Sequence, residues 1–198
     1  MSHVTTEDMA DILQSAVLLP VLRAPNVPVA LEQVDRCVSA GLPVVELTTT
    51  TEDWPTAVRQ VQEAWPSLIV GVGTVLEPKQ AEAAIDAGAA FVVSPCPVPD
   101  VRPVTEGRLP FLEGGFTPGE LLDASSRGLA KLFPANVATT QMLRSVLALR
   151  PRARIVPTGG IGLEDIPSWT AAGALAVGVG ARLLEDPDLP SRVAALRS

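Results

Sequence analysis

Histidine is almost missing from this chain. Its 198 residues hold one, His3, and no tyrosine at all. A Ser-His-Asp triad, a Cys-His dyad or a His-rich metal centre therefore lacks its parts. Acid–base chemistry falls to Glu, Asp, Lys, Cys or water. Cysteine is nearly as scarce: Cys37 and Cys96 are too few and too far apart for a disulfide scaffold or a structural zinc site, and a reducing, cytoplasmic setting suits them. Lysine occurs only as Lys79 and Lys131, the other basic residues being arginine. No apolar run reaches the roughly 18–20 residues of a membrane helix, because Gly, Pro or a charge interrupts each one. The first residues show no basic segment followed by an apolar one, so no secretory signal is expected. Basic charge is in deficit as well. A net charge of −7 argues against nucleic acid or an anionic membrane as partner, while leaving room for an anionic small molecule in a locally positive pocket.

What is present is core material. Hydrophobic residues make up 47% of the chain and charged ones 19%, and the length suits one domain over 1–198. Short apolar runs alternate with amphipathic stretches. The expected strands are Val17–Arg23, Val44–Thr48, Leu68–Val72, Ala90–Ser94, Leu109–Leu112, Leu129–Phe133, Ile155–Thr158 and Ala174–Val179. Several are apolar on both faces, as buried parallel strands are. Helical patterns run over Pro28–Ala40, Asp53–Trp65, Glu77–Ala87, Thr117–Ser126, Thr139–Leu149 and Leu163–Ala172, each followed closely by Gly or Pro. Eight βα repeats predict a compact α/β fold, a (β/α)8 (TIM) barrel. Residues 1–14 read as an extra N-terminal helix covering the barrel bottom. An open doubly wound sheet is disfavoured, because no G-x-G-x-x-G opens a helix near the N-terminus.

In such a barrel the chemistry sits where strands end and loops begin. In order, those ends carry Arg23, Glu46 with Thr48, Gly71-Val72-Gly73-Thr74, Ser94-Pro95-Cys96, Glu113-Gly114-Gly115, Lys131, Thr158-Gly159-Gly160 and Gly178-Val179-Gly180. Lys131 alternates with Leu129 and Phe133 along an apolar strand. Apolar surroundings disfavour the ammonium, and a neutral amine attacks ketones to form a Schiff base. The bland alternative is a lysine that snorkels to solvent or pairs with a carboxylate. Glu46 lies in the apolar run Val44-Val45-Glu46-Leu47. It suits a general acid/base, or else a structural salt bridge to Arg23 or Lys131. The glycines after the last two strands suit a phosphate cradle of backbone N–H groups, or simply tight turns. Cys96 has no evident base beside it, Cys37 reads as helix packing, and Trp54, Trp65 and Trp169 read as core or interface. Thr48 to Thr51 suit substrate hydroxyls or ordinary strand-end residues equally well.

Taken in order, these segments resemble the 2-keto-3-deoxy-6-phosphogluconate (KDPG) / 4-hydroxy-2-oxoglutarate aldolases. The likeness spans roughly residues 15–185. It is carried by Leu19-Pro20-Val21-Leu22-Arg23, Val45-Glu46-Leu47-Thr48, Gly71-Val72-Gly73-Thr74-Val75-Leu76, Val93-Ser94-Pro95, Lys131-Leu132-Phe133-Pro134-Ala135, Pro157-Thr158-Gly159-Gly160 and Val177-Gly178-Val179-Gly180. The resemblance implies a class I aldolase on a (β/α)8 barrel, a cytoplasmic homotrimer that needs no metal or cofactor. Its small-molecule partners are a 2-oxo acid and an aldehyde. It implies Lys131 as the Schiff-base lysine and Glu46 as the acid/base. Arg23, Thr74, Pro95, Phe133, Thr158, Gly159, Gly160 and Gly180 follow as substrate-binding positions. The expected reaction cleaves a 2-keto-3-deoxy sugar acid, 6-phosphorylated, to pyruvate and an aldehyde such as glyceraldehyde 3-phosphate. Four positions depart from the family pattern. Thr50 stands where many members carry an arginine near the pyruvoyl carboxylate, Ala181 where a phosphate-side serine is common, Glu113 where proline is usual, and Asn136 where an acidic residue is frequent. They keep two alternatives open: an aldolase for a non-phosphorylated 2-oxo acid, and a non-catalytic barrel that binds a sugar phosphate.

Overall fold

The computed structural model describes residues 4–196; His3 and the first positions of the helix expected over 1–14 lie outside the described residues. Eight parallel strands form one sheet: β1 (Leu18–Leu22), β2 (Val44–Thr48), β3 (Ile69–Gly73), β4 (Phe91–Val93), β5 (Phe111–Gly115), β6 (Leu129–Leu132), β7 (Arg154–Pro157) and β8 (Val177–Val179). Their order is β7-β6-β5-β4-β3-β2-β1-β8. The Thr158–Gly178 bridge and the Leu175 N–H to Ile155 carbonyl bond of 2.9 Å draw β7 and β8 together, so the sheet is a nearly closed (β/α)8 barrel. The helices are α1 (Thr6–Ala16), α2 (Val27–Ser39), α3 (Trp54–Ala64), α4 (Pro78–Asp86), α5 (Arg102–Thr105), α6 (Pro118–Arg127), α7 (Thr140–Leu149), α8 (Ile166–Ala171), α9 (Arg182–Glu185) and α10 (Leu189–Leu196).

The expected elements are present, with shifted ends. The strand expected over 109–112 begins only at Phe111 and runs on to Gly115. Its predecessor Pro110 has no N–H to give a ladder, and its carbonyl instead accepts from Val92. The helix expected over 163–172 splits into a 3-10 turn, Leu163–Asp165, and α8, with Pro167 in the first turn of α8. The short helices α5, α9 and α10 have no counterpart in the sequence reading.

Strand alternation sorts the core into two shells. One face of each strand packs against the helices, as do Leu18, Val45, Leu47, Val72, Ala130 and Ile155. The other face fills the barrel with Leu19, Val44, Phe91, Val93, Leu112, Leu129, Val156 and Ala176. This inner cluster continues into Met9 and Leu13 of α1, so that helix does plug the N-terminal mouth. Thr5 caps α1 in a reciprocal box with Asp8, and Glu7 is ion-paired with Arg154 at the start of β7. Gly71 matters here: a Cβ on it would stand 2.3 Å from the Phe91 ring, so only glycine lets that ring fill the lower barrel. The apolar filling stops about midway up. Above it the inward positions are Glu46, Thr48, Gly73, Gly114, Lys131, Thr158 and Gly178.

Candidate active site

Glu46 and Lys131 point into the same space from opposite sides of the barrel. Glu46 lies in β2, in register with Val21 of β1 and Gly71 of β3. Lys131 lies in β6, in register with Gly114 of β5 and Val156 of β7. Both side chains are buried, and Lys131 Nζ stands 3.5 Å from Glu46 Oε1. That is long beside the roughly 2.7–2.9 Å of a strong charge-assisted hydrogen bond. The second carboxylate oxygen, Glu46 Oε2, is buried with no hydrogen-bond partner. A buried polar atom left unpaired costs about 1–3 kcal/mol. A pair kept only for stability would close both gaps; this one leaves a buried acceptor unpaired and the amine at a long distance. Of the two partners expected for Glu46, Lys131 is in contact with it and Arg23 is not.

Small residues let the groups of the site pack close to the strands. A Cβ on Gly73 would fall 1.8 Å from Glu46 Oε1, so the carboxylate rests directly on the backbone of β3. A Cβ on Gly114, beside Lys131, would meet the carbonyl carbon of Pro95 at 2.2 Å. One on Gly178 would meet Thr158 Oγ1 at 2.2 Å. These glycines carry side chains or loops of the rim against their backbone.

The other expected residues ring this centre. Phe133 follows Lys131 on the same face, its ring centroid 5.7 Å from Nζ. Gly159 packs on that ring, and Gly160, at φ +70°, lies against Asn136. Thr158 is buried beside Gly178. Thr74 directly follows Gly73 and takes a left-handed backbone, φ +61°, which is strained for a β-branched residue. Pro95 is half-buried over Gly114. Gly180 stands against the Val21 carbonyl. Arg23, one residue beyond β1 on the inward register of Val21, is exposed at the rim, and among the described residues it forms no hydrogen bond or ion pair. Lys131 is the hub, meeting Glu46 on one side and Phe133 on the other, and the rest lie around it.

Three features escaped the sequence reading. Thr49 donates its hydroxyl to the Thr74 carbonyl at 2.7 Å and so pins the strained turn. Thr48 and Thr50 share a hydrogen bond of 2.7 Å between their hydroxyls. Ser94 is buried, donates to the Cys96 carbonyl at 2.8 Å and accepts the Gly114 N–H at 3.1 Å. A run of four threonines marks the place but not which hydroxyl goes where. Glu113, one of the four departures from the family pattern, does not itself line the lumen. It alternates with Gly114 and faces away from the lumen, where it meets Arg102 and Arg127. Cys96 is exposed on the rim, whereas Cys37 is buried and burial pushes its thiol up to about 12. Among the described residues no cluster of His, Cys, Asp and Glu is placed to hold a metal ion, and no helix is long and apolar enough to cross a membrane.

Comparison with known proteins bears on this geometry. A family model described as KDPG and KHG aldolase matches residues 9–192. The chain is 34% identical over 164 residues to a 2-dehydro-3-deoxy-phosphogluconate aldolase of Pseudomonas aeruginosa, covering 81% of this chain and 74% of that protein. It is likewise 34% identical over 164 residues to a KHG/KDPG aldolase of Escherichia coli K12, covering 81% and 77%. The solved 2-keto-3-deoxy-6-phosphogluconate aldolase of Zymomonas mobilis ZM4 with 3-phosphoglycerate superposes with a TM-score of 0.82 at 27% identity, covering 98% of this chain and 95% of that one.

Proposed function

Because the chain belongs to the KDPG and KHG aldolase family, we propose that it is a class I aldolase cleaving a 2-keto-3-deoxy sugar acid to pyruvate and an aldehyde. One observation carries the reading: a buried lysine and a buried glutamate share the barrel lumen at 3.5 Å, with the second carboxylate oxygen unpartnered. Lys131 Nζ, as the free amine, attacks the C2 ketone and forms a carbinolamine. Glu46 protonates its hydroxyl, which leaves as water, and the protonated imine remains. The Glu46 carboxylate then takes the proton of the C4 hydroxyl. The C3–C4 bond breaks, its electrons pass into the iminium, and the aldehyde departs from the enamine. Protonation at C3 and addition of water return pyruvate and the free amine. The imine is the electron sink a cofactor supplies elsewhere, so the scheme calls for no cofactor and no metal. Phe133 and Thr74 flank the pyruvate end, and Pro95 roofs it.

Arg23 is the rim cation free to meet the substrate carboxylate, since Thr50 supplies no charge. The Thr158-Gly159-Gly160 loop and Gly180 lie at the distal end and suit a phosphate. In support, the Zymomonas mobilis relative was solved with 3-phosphoglycerate. On this reading the substrate is 2-keto-3-deoxy-6-phosphogluconate and the aldehyde glyceraldehyde 3-phosphate. The family likeness also suggests a cytoplasmic homotrimer. A second reading, a non-phosphorylated 2-oxo acid, is favoured by Arg182. That cation follows Ala181 and is already paired with Glu164.

The test is to incubate the protein with pyruvate, reduce with borohydride and map the adduct by peptide mass spectrometry. An adduct on Lys131 is expected. A folded protein that gives none is a binding barrel instead. Comparing cleavage of the phosphorylated and non-phosphorylated acids then separates the two substrate readings.

A further inference from the structure

A second buried carboxylate lies one residue from the lumen, on the outer face of the barrel. Glu113 is almost wholly buried in β5, and its Oε1 accepts the Val98 N–H at 2.9 Å. Arg102 Nε lies 2.9 Å from both of its oxygens, and Arg127 donates to Oε2 at 2.6 Å. Asp123 bonds both arginines in turn, at 3.2 Å to Arg102 and 2.6 Å to Arg127, so the four charges balance. Every oxygen of Glu113 is satisfied, unlike Glu46.

What this cluster grips is the loop from Ser94 to Val98. The loop is fastened at three points. Ser94 Oγ holds the Cys96 carbonyl, the Gly114 N–H holds Ser94 Oγ, and Glu113 holds Val98. Between those points the Pro95–Cys96 backbone lies on Gly114, which stands in register with Lys131. The same two residues of β5 thus touch the loop from both sides: Gly114 from within the barrel, Glu113 from without.

We propose that Glu113 is a positioning residue, which through Val98 holds the 94–98 loop at the height that shapes the lumen above Lys131. It touches no substrate and acts only through the loop. This inference rests on the aldolase reading, because it takes the space over Lys131 to be the pyruvate site. Loss of the carboxylate frees the Val98 end of the loop while the Lys131–Glu46 pair stays intact. Such a change weakens ground-state and transition-state binding alike, which raises KM and leaves kcat in place.

The experiment uses the full chain with E113A and E113Q. It reads the pyruvate concentration that half-saturates borohydride trapping on Lys131, kcat and KM for sugar-acid cleavage, and hydrogen exchange of the peptides spanning 94–99. In E113A the expected results are faster exchange over 94–99 and a half-saturating pyruvate concentration raised about tenfold, the scale of one charge-assisted hydrogen bond lost, with kcat within about twofold. E113Q keeps an oxygen for Val98 and should fall between E113A and wild type. Should E113A not fold, E113Q decides alone: a rise of about threefold or more with kcat kept supports the role. Unchanged half-saturation in a folded variant overturns it, as does a loss confined to thermal stability. If wild type itself gives no Lys131 adduct, the aldolase reading fails; the exchange data then still report whether Glu113 holds the loop.

Discussion

Gly73→Ala is the sharpest probe of the lumen. One methyl is added, no charge changes, and neither Lys131 nor Glu46 is touched. The added Cβ would stand 1.8 Å from Glu46 Oε1, 2.4 Å from Cδ and 2.7 Å from Cγ. Ordinary contact begins near 3.4 Å, so the carboxylate must withdraw by about 1.6 Å. It cannot turn away freely, for Glu46 is fully buried in β2 between the ladders to β1 and β3. Overpacking of this kind costs about 1–3 kcal/mol of stability, and a misplacement of 1 Å at a reacting group costs about 10²-fold in rate. A kcat reduced 10²-fold or more is therefore expected, toward the ~10²–10⁴-fold of losing a general acid/base altogether. Pyruvate release followed through coupled reduction by lactate dehydrogenase reads the rate, and far-UV circular dichroism confirms the fold. Gly119→Ala is the control. Gly119 lies in α6, a Cβ there meets nothing within 4 Å, and removing a helical glycine should stabilise by about 0.5–1 kcal/mol. If folded G73A turns over at the wild-type rate, the carboxylate on Gly73 is not the acid/base, and the assignment of Glu46 falls with it.

Thr49→Val removes the bond to the Thr74 carbonyl and leaves the shape; kcat/KM should fall about 3–10-fold, the scale of one neutral hydrogen bond, and Thr49→Ser should restore it. In native protein iodoacetamide should label exposed Cys96 and spare Cys37, whose buried thiol titrates only near 12; peptide mapping that finds both labelled at pH 8 would contradict the packing of α2. The N–H groups of Thr117 and Phe116, with the Thr117 hydroxyl, hold the Glu120 carboxyl below its ordinary 4.5. A depressed carboxyl contributes stability that is complete above 4.5 and lost as pH falls through the lower folded value. Chemical denaturation of wild type and Glu120→Gln should therefore differ most near neutrality and converge at strongly acid pH.

The barrel itself was legible because its signals are local and repeated. Val44–Thr48 matches β2 residue for residue. Helix starts such as Thr117-Pro118-Gly119-Glu120 carry their caps in the sequence. Lys131 and Glu46 stood out for the same reason: a charge on the face of an apolar run is visible without any long-range information. The fate of each charge was not visible. Alternation places Glu46 on the face of Val44, and Glu113 on the face of Phe111. Yet nothing local says that the first of these faces looks into the lumen and the second toward helices. That depends on which face meets α1 and Phe91 and which meets α5 and α6. The outward side of Glu113 is not readable from its neighbours for this reason. Its partners Arg102 and Arg127 sit 11 and 14 residues away on two different helices. The threonine run shows the same limit at shorter range: Thr48, Thr49 and Thr50 differ only in rotation about a chain whose turn is set by Thr74, a strand away.

The two buried carboxylates make the division of labour in this barrel intelligible. Glu113 faces three N–H donors, two of them from guanidiniums, and its bonds lie at 2.6–2.9 Å. Glu46 faces one amine at 3.5 Å and keeps an oxygen unpaired. Both have been removed from water, so both carry the desolvation cost of a buried polar group. Only the first recovers that cost within its own cluster. The second is carried by the rest of the fold: the apolar lower barrel, closed by Met9 and Leu13 of α1 and the Phe91 ring, supplies the stability that the upper lumen forgoes. On the proposed mechanism, an amine and a carboxylate left incompletely paired are the groups that meet the substrate's carbonyl and hydroxyl proton. A saturated cluster such as that of Glu113 has no free valence to offer a substrate, and its surplus of bonds goes instead into holding a loop in place.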